Sequence, residues 1–497
     1  MSHARTTVNL PTAWQMQNPK YSLKVLISLF FVTSLGGLFR WVRLSEPPAI
    51  VFDEIYYAVD AQALLQSGTE KTTIENAEAE ILNGNTNIFL DQGAFVAHPP
   101  TGKWLIAIGE YLFGFNTFGW RFSAALFGTL LIILTFLVTR KLLKSNWFAL
   151  LAASLVALDG LAIVMSRIAL LDGFLIFFVL LSIFFLLIDV EKSVARIDQR
   201  LIVQSRFGSI YYWHWYRWLA GVSLGVAVSI KWSGLWFLAV VGLIVVLLDI
   251  FFRSQLHPKY LILGHALKDW WLIFIQLPLT AFLVYLASWT GWFLSDLSWG
   301  KNTANSALES LLNYHQQIWN FHTQLTESHN YQSYAAGWPI LYRPTAFYYE
   351  ESNLNCAAEL CASEILAIGN PAIWWVGVIA LLVIAIWFIR KPSFEVGLVL
   401  ILFLVGWLPW LAYPNRPTFY FYAIVMMPFI AIAIALLFRQ LTWIFKTSGF
   451  SNWAGTSLIT FYLFVVLGLS VFFLPVWTAI SIPKNEWLWR IWFDLWI

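Results

Sequence analysis

Charged side chains are scarce in this chain: 30 Lys and Arg and 27 Asp and Glu among 497 residues, 11% in all. That is too little polar surface to cover a soluble globule of this length. The balance is nearly neutral, at +3, with no basic, acidic or low-complexity tail, so nothing marks a nucleic acid as a partner. Cysteine occurs only twice, at Cys356 and Cys361. A metal centre would need more ligands than that, and a redox pair is usually spaced by two residues; outside the cell the two would join as a disulfide closing a short loop. Internal repeats are missing, and a secondary transporter would be expected to show paired ones, which leaves a non-enzymatic transporter as the more distant alternative. One glycine is missing too. Gly102-Lys103 would end a phosphate loop only if glycine stood at position 97, where the chain has Ala97, so no nucleotide site is expected. Asp189-Val190-Glu191 matches the metal-nucleotide motif of soluble sugar transferases in spacing alone and reads as the polar end of a span.

Hydrocarbon and aromatic rings take the place of charge. Hydrophobic residues make up 59% and aromatic residues 18%, including 29 Trp, more rings than a lipid-facing surface needs and suited to interfacial belts and aromatic-walled cavities. Apolar runs long enough to span a bilayer fall near 23–43, 121–140, 147–166, 172–189, 212–231, 233–252, 269–289, 372–389, 394–412, 418–438 and 456–478, giving an all-α polytopic membrane protein of about eleven helices. Arg140, Lys141 and Lys144; Lys192, Arg196, Arg200 and Arg206; Arg253, Lys259 and Lys268; Arg390 and Lys391; and Arg439 and Lys446 all fall on one side, which the positive-inside rule makes cytoplasmic. With Arg5, Lys20 and Lys24, residues 1–22 form a cytoplasmic segment, 23–478 the membrane domain and 479–497 an external tail. The first span lacks a small-residue cleavage site and is read as a retained anchor in the plasma membrane. Two long segments, about 44–120 and 290–371, then lie outside. In the first, the prolines of His98-Pro99-Pro100 bar a helix until Thr101, after which an apolar run to Phe115 suits a helix lying in the interface.

Most of the acid is external, and the adjacent pair Asp53 and Glu54 stands apart because it follows the first span directly, flanked by Phe52, Tyr56 and Tyr57. A carboxylate short of water can be held basic enough to accept a proton; the plain alternative is a solvated loop start. Cations recur at the outer ends of spans, at Arg121, Arg167, Lys231 and Arg416. Acids and cations on one face describe a pocket for an anionic lipid head group, although any single cation could be a snorkelling anchor. His315, His322 and His329 recur every seven residues, about 10.5 Å apart along a helix, too far for one zinc ion, so they are read as hydrogen-bonding or stacking residues. A divalent ion held by Asp53 and Glu54 would have a thin ligand set, and none is required.

These residues also form a recognisable series: Phe52-Asp53-Glu54; His98-Pro99-Pro100-x-Gly102-Lys103; Trp120-Arg121-Phe122; Ser166-Arg167-x-x-Leu170-Leu171-Asp172; Lys231-Trp232-Ser233-Gly234; Tyr314-His315 and Phe321-His322; His329-x-Tyr331-x-Ser333; and Trp338-Pro339. In order and spacing the chain resembles the polyprenyl-phosphate-mannose protein mannosyltransferases, from about residue 23 to the last span. The resemblance implies the C-type glycosyltransferase architecture and transfer of mannose from a lipid-linked phosphate donor to Ser or Thr hydroxyls of proteins on the outer face. It implies Asp53 as general base, Glu54 as the neighbouring acid that positions acceptor or sugar, and Arg121 as holder of the donor phosphate, with Lys231 and Arg167 beside it. His98, His329, Tyr331 and Trp338 would line the pocket or its acceptor side. One base opposite the departing phosphate implies inversion, since adjacent acids rarely flank a sugar from two sides. The segment of about 80 residues after the seventh span is too short for the soluble sugar-binding-like repeats of eukaryotic members, which points to the compact bacterial form and a polyprenol donor. A lipid-decorating transferase of the same architecture is the nearer alternative. Because a hydroxyl must be reached before its protein folds, the secretion channel is a candidate partner.

Overall fold

Ser22 opens the first span: its hydroxyl accepts from the Val25 amide and starts α1, Leu23–Trp41. The computed structural model describes residues 16–198, 213–256, 270–353, 356 and 358–497. Arg5, Arg200, Arg206, Lys259 and Lys268, counted above in the charge asymmetry, lie outside the described residues, and nothing is described of the Arg196 side chain. Among the described residues nine helices are long and apolar enough to cross a membrane. They are α1 and the later α4 (Thr117–Leu143), α6 (Asp172–Asp198), α8 (Gly234–Leu256), α9 (Trp270–Ser288), α11 (Pro371–Arg390), α12 (Phe394–Leu411), α13 (Met427–Thr447, with a tight turn before it) and α14 (Asn452–Trp477). The other two expected spans are present as shorter helices, α5 (Asn146–Leu158) and α7 (Trp215–Ile230).

Asp159 is what shortens α5. Its carboxylate accepts from the Ala162 amide at 3.0 Å, opening the short helix Gly160–Val164, and from the Asn370 amide and Trp374 indole at 3.0 and 2.8 Å. A broken helix leaves carbonyls without amide partners, which hydrocarbon does not tolerate. Arg40 supplies the missing donors: its guanidinium reaches the Val156 and Ala157 carbonyls at 3.0 and 3.1 Å, and the Gly36 carbonyl and Ser166 hydroxyl besides. The break therefore fastens α1, the third span and α11 to one another. At the centre stands the stretch 420–438, nearly all of it buried.

The remaining helices gather at one end of the bundle: α2 (Glu54–Ser67), α3 (Thr101–Phe113) and α10 (Ala307–Gln324). As expected of an interfacial helix, α3 exposes Ile108, Tyr111, Leu112 and Phe113. It lies hard against α4 because two glycines meet there: a methyl on Gly109 would stand 2.2 Å from the Gly119 carbonyl oxygen. The all-α reading needs one addition. Short strands also form at this end, β1 (Lys71–Thr73) with β2 (Phe89–Gly93), and β3 (Thr345–Ser352), β4 (Cys361–Ala367) and β5 (Ile482–Pro483) in a second antiparallel sheet. Their strand periods are too brief to stand out in a chain so rich in apolar residues. A disulfide joins Cys356 to Cys361 at the β3–β4 turn, Cα to Cα 5.9 Å. Through β5, and through Arg343 donating to the Leu495 and Ile497 carbonyls, the tail 479–497 packs on the 290–371 segment.

Candidate active site

Arg121 enters the interior because Asn116 caps α4, its side chain accepting from the Gly119 amide at 3.0 Å, and Arg121 follows in the next turn. Arg121 and Glu54 are both fully buried. The guanidinium donates from Nε to Glu54 Oε1 at 2.8 Å and from Nη2 to Oε2 at 2.9 Å. Its remaining donors go to the carbonyls of Leu44, Pro47 and Ala49. A guanidinium has five N–H groups, and all five are used. Glu54 is as fully committed, accepting also from the Val51 and Ala169 amides at 2.9 and 3.0 Å. This corrects two expectations. Arg121 has no donor left for a phosphate, and Glu54 has no oxygen facing an acceptor or sugar; together they form a buried pair that folds the connector after α1. Arg167 is the third correction. It donates to the carbonyls of Phe39, Arg40, Val42 and Arg43, capping the end of α1 rather than facing a donor.

The bracket built by these two arginines ends at Phe52, which holds a left-handed φ of 52°. A bulky residue adopts that conformation only when its surroundings impose it. Here the ring is held by Phe347, Phe419, Phe421 and His329, with centroids 4.9 to 6.0 Å away. The result turns Asp53 inward at the start of α2. In contrast to Glu54, Asp53 forms no ion pair within 4 Å among the described residues. Burial pushes its carboxyl from 3.8 up to about 6, an effect offset in part by Lys231 and by a hydrogen bond from Tyr57, and reinforced by Asp172.

Beside it opens a cleft of about 690 Å³, walled by His98, Lys231, Trp232, Trp236, Trp319, His322, Trp410, Tyr413, Arg416 and Tyr422. Lys231 is held by Asp172, Nζ to the carboxylate oxygens at 2.8 and 2.9 Å, and lies 4.4 Å from the Tyr422 ring centroid. His98 and His322 pack at 5.1 Å, and His98 Nδ1 is buried without a partner. His322 Nε2 donates to the Ala97 carbonyl at 2.9 Å, so the other ring nitrogen accepts from Arg416 Nη2 at 3.1 Å. Burial and the neighbouring Arg416 lower His322 to about 4, and burial holds His98 well below the ordinary histidine range. Both rings are therefore neutral near pH 7. Arg416 keeps a buried Nε without a partner. In the sequence it was one outer cation among four; only contact with His322, 94 residues away, separates it from Arg121.

The remaining expected pocket residues divide. His329 packs on Phe52 and Phe419, and its Nδ1 accepts from the Tyr331 amide. Tyr331 is half-buried against the core. Trp338 is fully buried and packs on Trp410 and Tyr422, so it supports the cleft from behind rather than lining it. The histidine series breaks because α10 ends at Gln324, before His329. Lys103, from the His-Pro-Pro motif, is buried between Glu70 and Asp60. Among the described residues no three His, Cys, Asp or Glu side chains gather as a metal site.

A bundle of membrane-crossing helices with the acid and the cation-lined cleft at one end has the architecture of the C-type membrane glycosyltransferases. The solved fold of the *S. cerevisiae* protein O-mannosyltransferase Pmt1-Pmt2 complex bound to the sugar donor superposes with a TM-score of 0.75, at 14% identity, over 99% of this chain and 95% of that one. The archaeal oligosaccharyltransferase AglB from *Archaeoglobus fulgidus* gives 0.52 at 12% identity, over 93% and 57%. Residues 30–290 match the family described as dolichyl-phosphate-mannose-protein mannosyltransferase, and 307–496 match the C-terminal four-span region of protein O-mannosyltransferase. The polyprenol-phosphate-mannose protein mannosyltransferase of *Mycolicibacterium smegmatis* is 31% identical over 492 residues, covering 94% of this chain and 92% of the relative. The chain belongs to the protein mannosyltransferase family.

Proposed function

We propose that the chain transfers mannose from polyprenyl-phosphate-mannose to Ser or Thr hydroxyls of proteins on the outer face of the plasma membrane, with residues 1–22 inside the cell and nascent secreted chains as acceptors. The observation that carries this reading is Asp53, a half-buried carboxylate pushed up to about 6 and left free of cation pairing among the described residues beside an aromatic, cation-lined cleft. Asp53 takes the proton of the acceptor hydroxyl as its oxygen attacks the anomeric carbon. The bond from that carbon to the phosphate oxygen breaks, and its electron pair leaves with the polyprenyl phosphate. A positioned base contributes roughly 10² to 10⁴ in rate. Charge gathering on the departing phosphate is met by Arg416, whose Nε is uncommitted, and by Lys231; such donors act more strongly on the transition state than on the ground state. Attack opposite the phosphate gives inversion. No metal is needed for either step.

The test is an assay of membranes carrying this chain with radiolabelled polyprenyl-phosphate-mannose and a Ser/Thr-rich peptide. Label entering the peptide with inverted linkage supports the reading. Label entering only lipid would transfer it to a lipid acceptor.

A further inference from the structure

Residues 488–497, beyond the last span, present an apolar face to the outside of the molecule. Only Arg490 and Asp494 among them are charged, while Leu488, Trp489, Trp492, Phe493, Leu495 and Ile497 are each between 39% and 63% exposed. Arg490 is turned inward: Nε donates to the Phe472 carbonyl at 2.6 Å, Nη1 to the Glu486 carbonyl at 2.5 Å, and the guanidinium lies 4.8 Å from the Phe472 ring centroid. The rings mark the height of this stretch against the spans. Trp492 packs on Phe473 of α14 at 5.0 Å and on Trp375 of α11 at 6.2 Å. Each partner stands four residues inside the end of its helix, about 6 Å at 1.5 Å per residue. With 26 residues, α14 is about 39 Å long against roughly 30 Å of hydrocarbon, so a ring at that level stands at or just below the boundary between acyl chains and head groups.

We propose that residues 488–497 are a membrane anchor lying in the leaflet at the cleft's end of the bundle, and that through Trp496 they hold the turn behind the cleft in place. The anchor does not depend on the reaction proposed above. Lipid is its occupant because the face runs on into the faces of two spans. Trp375, Ile379 and Leu382 follow at i, i+4 and i+7 on α11, and Phe464 and Val471 at i and i+7 on α14, spacings that share one side of a helix. Ile379, Leu382, Phe464 and Val471 are all more than half exposed, as side chains against acyl chains should be. Tryptophan is enriched at the bilayer interface, and one acid with one inward arginine suits a segment lying in the interface rather than crossing it. The link to the cleft is a chain of contacts. Trp496, almost fully buried, gives its indole N–H to the Leu341 carbonyl at 2.9 Å. Leu341 follows the turn Ala335–Ile340, which carries Trp338 against Trp410 and Tyr422 of the cleft wall.

The experiment uses the full chain in lipid nanodiscs at one copy per disc. Cys356 and Cys361 are the chain's only cysteines and are joined, so a cysteine placed elsewhere is the one free thiol for a nitroxide label. Leu488→Cys and Phe493→Cys are compared with Ile379→Cys, a lipid-facing reference, and Glu327→Cys, a reference in an exposed loop. Labels at 488 and 493 should be relaxed by oxygen as at 379 and should lose most of the relaxation by a water-soluble nickel chelate seen at 327. Adding Trp489→Asp and Phe493→Asp to Leu488→Cys puts charge into the leaflet; nickel relaxation should return, and hydrogen exchange over residues 335–341 should quicken. Nickel relaxation at 488 and 493 equal to that at 327 overturns the anchor. Protection that appears only with two copies per disc overturns it as well, by giving the face to a second copy of the chain. Unchanged exchange over 335–341 once the label reports release overturns the link to the cleft.

Discussion

Two adjacent acids should fail in opposite ways. Glu54→Gln keeps the shape of the side chain but removes its charge from a pair in which both partners are fully buried. Breaking such a pair leaves an uncompensated guanidinium, at a cost of about 3–5 kcal/mol, and releases the connector that Arg121 also holds through three carbonyls. Asp53→Asn removes a charge that burial already opposes. The rise from 3.8 to about 6 means that ionisation at neutral pH works against folding by roughly 3 kcal/mol. The Asn variant should therefore be at least as stable as wild type while its turnover drops by about 10² to 10⁴. Thermal unfolding followed by tryptophan fluorescence, with transfer measured on the same purified samples, reads both effects. A Glu54→Gln protein of wild-type stability, or an Asp53→Asn protein with wild-type turnover, would refute the assignment of one acid to scaffold and the other to chemistry.

Because Asp53 must be ionised to accept a proton, kcat/KM should fall on the acid side with a midpoint near its value of about 6; in stability terms the raised carboxyl favours folding most below its ordinary 3.8 and loses that contribution as pH climbs to about 6. Arg416→Ala should raise donor KM by about tenfold to a hundredfold through loss of a charge-assisted bond, with little change in unfolding temperature. Arg167→Ala should behave in the reverse sense, lowering stability by exposing four carbonyls to the cost of unmade bonds, about 1–3 kcal/mol each. Glu364, bonded to the Trp487 indole at 2.6 Å and pushed by burial up to about 8, should loosen the tail above that pH, since stability contributed by a raised carboxyl is lost as pH rises toward its folded value. Hydrogen exchange over residues 482–497 would detect this, and Glu364→Gln should abolish it.

The spans were legible because about twenty apolar residues in a row leave few other structures open to the chain. The break at Asp159 was not, since its partners Asn370 and Trp374 are more than 200 residues away. At the candidate site, Asp53 is singled out in the sequence by its placement after the first span, and Lys231 and His98 by their motifs. The arginines were not separable by sequence. Arg121, Arg167 and Arg416 all sit at span ends of the same expected side, and which of them is spent on carbonyls depends on where the connector folds, a three-dimensional fact. Trp338 shows the same limit: a tryptophan beside a proline reads as pocket lining until the neighbouring rings of Trp410 and Tyr422 enclose it.

Arg121 and Arg167 reach back 67 and 124 residues to grasp Glu54 and Arg43. During synthesis, then, the stretch bearing Asp53 leaves the ribosome long before the parts that present it exist. On the reaction proposed above, truncation ahead of Arg167 should leave Asp53 in the product without the bracket that aims it. On that reading, competence follows from assembly of the later spans and not from synthesis of the acid itself.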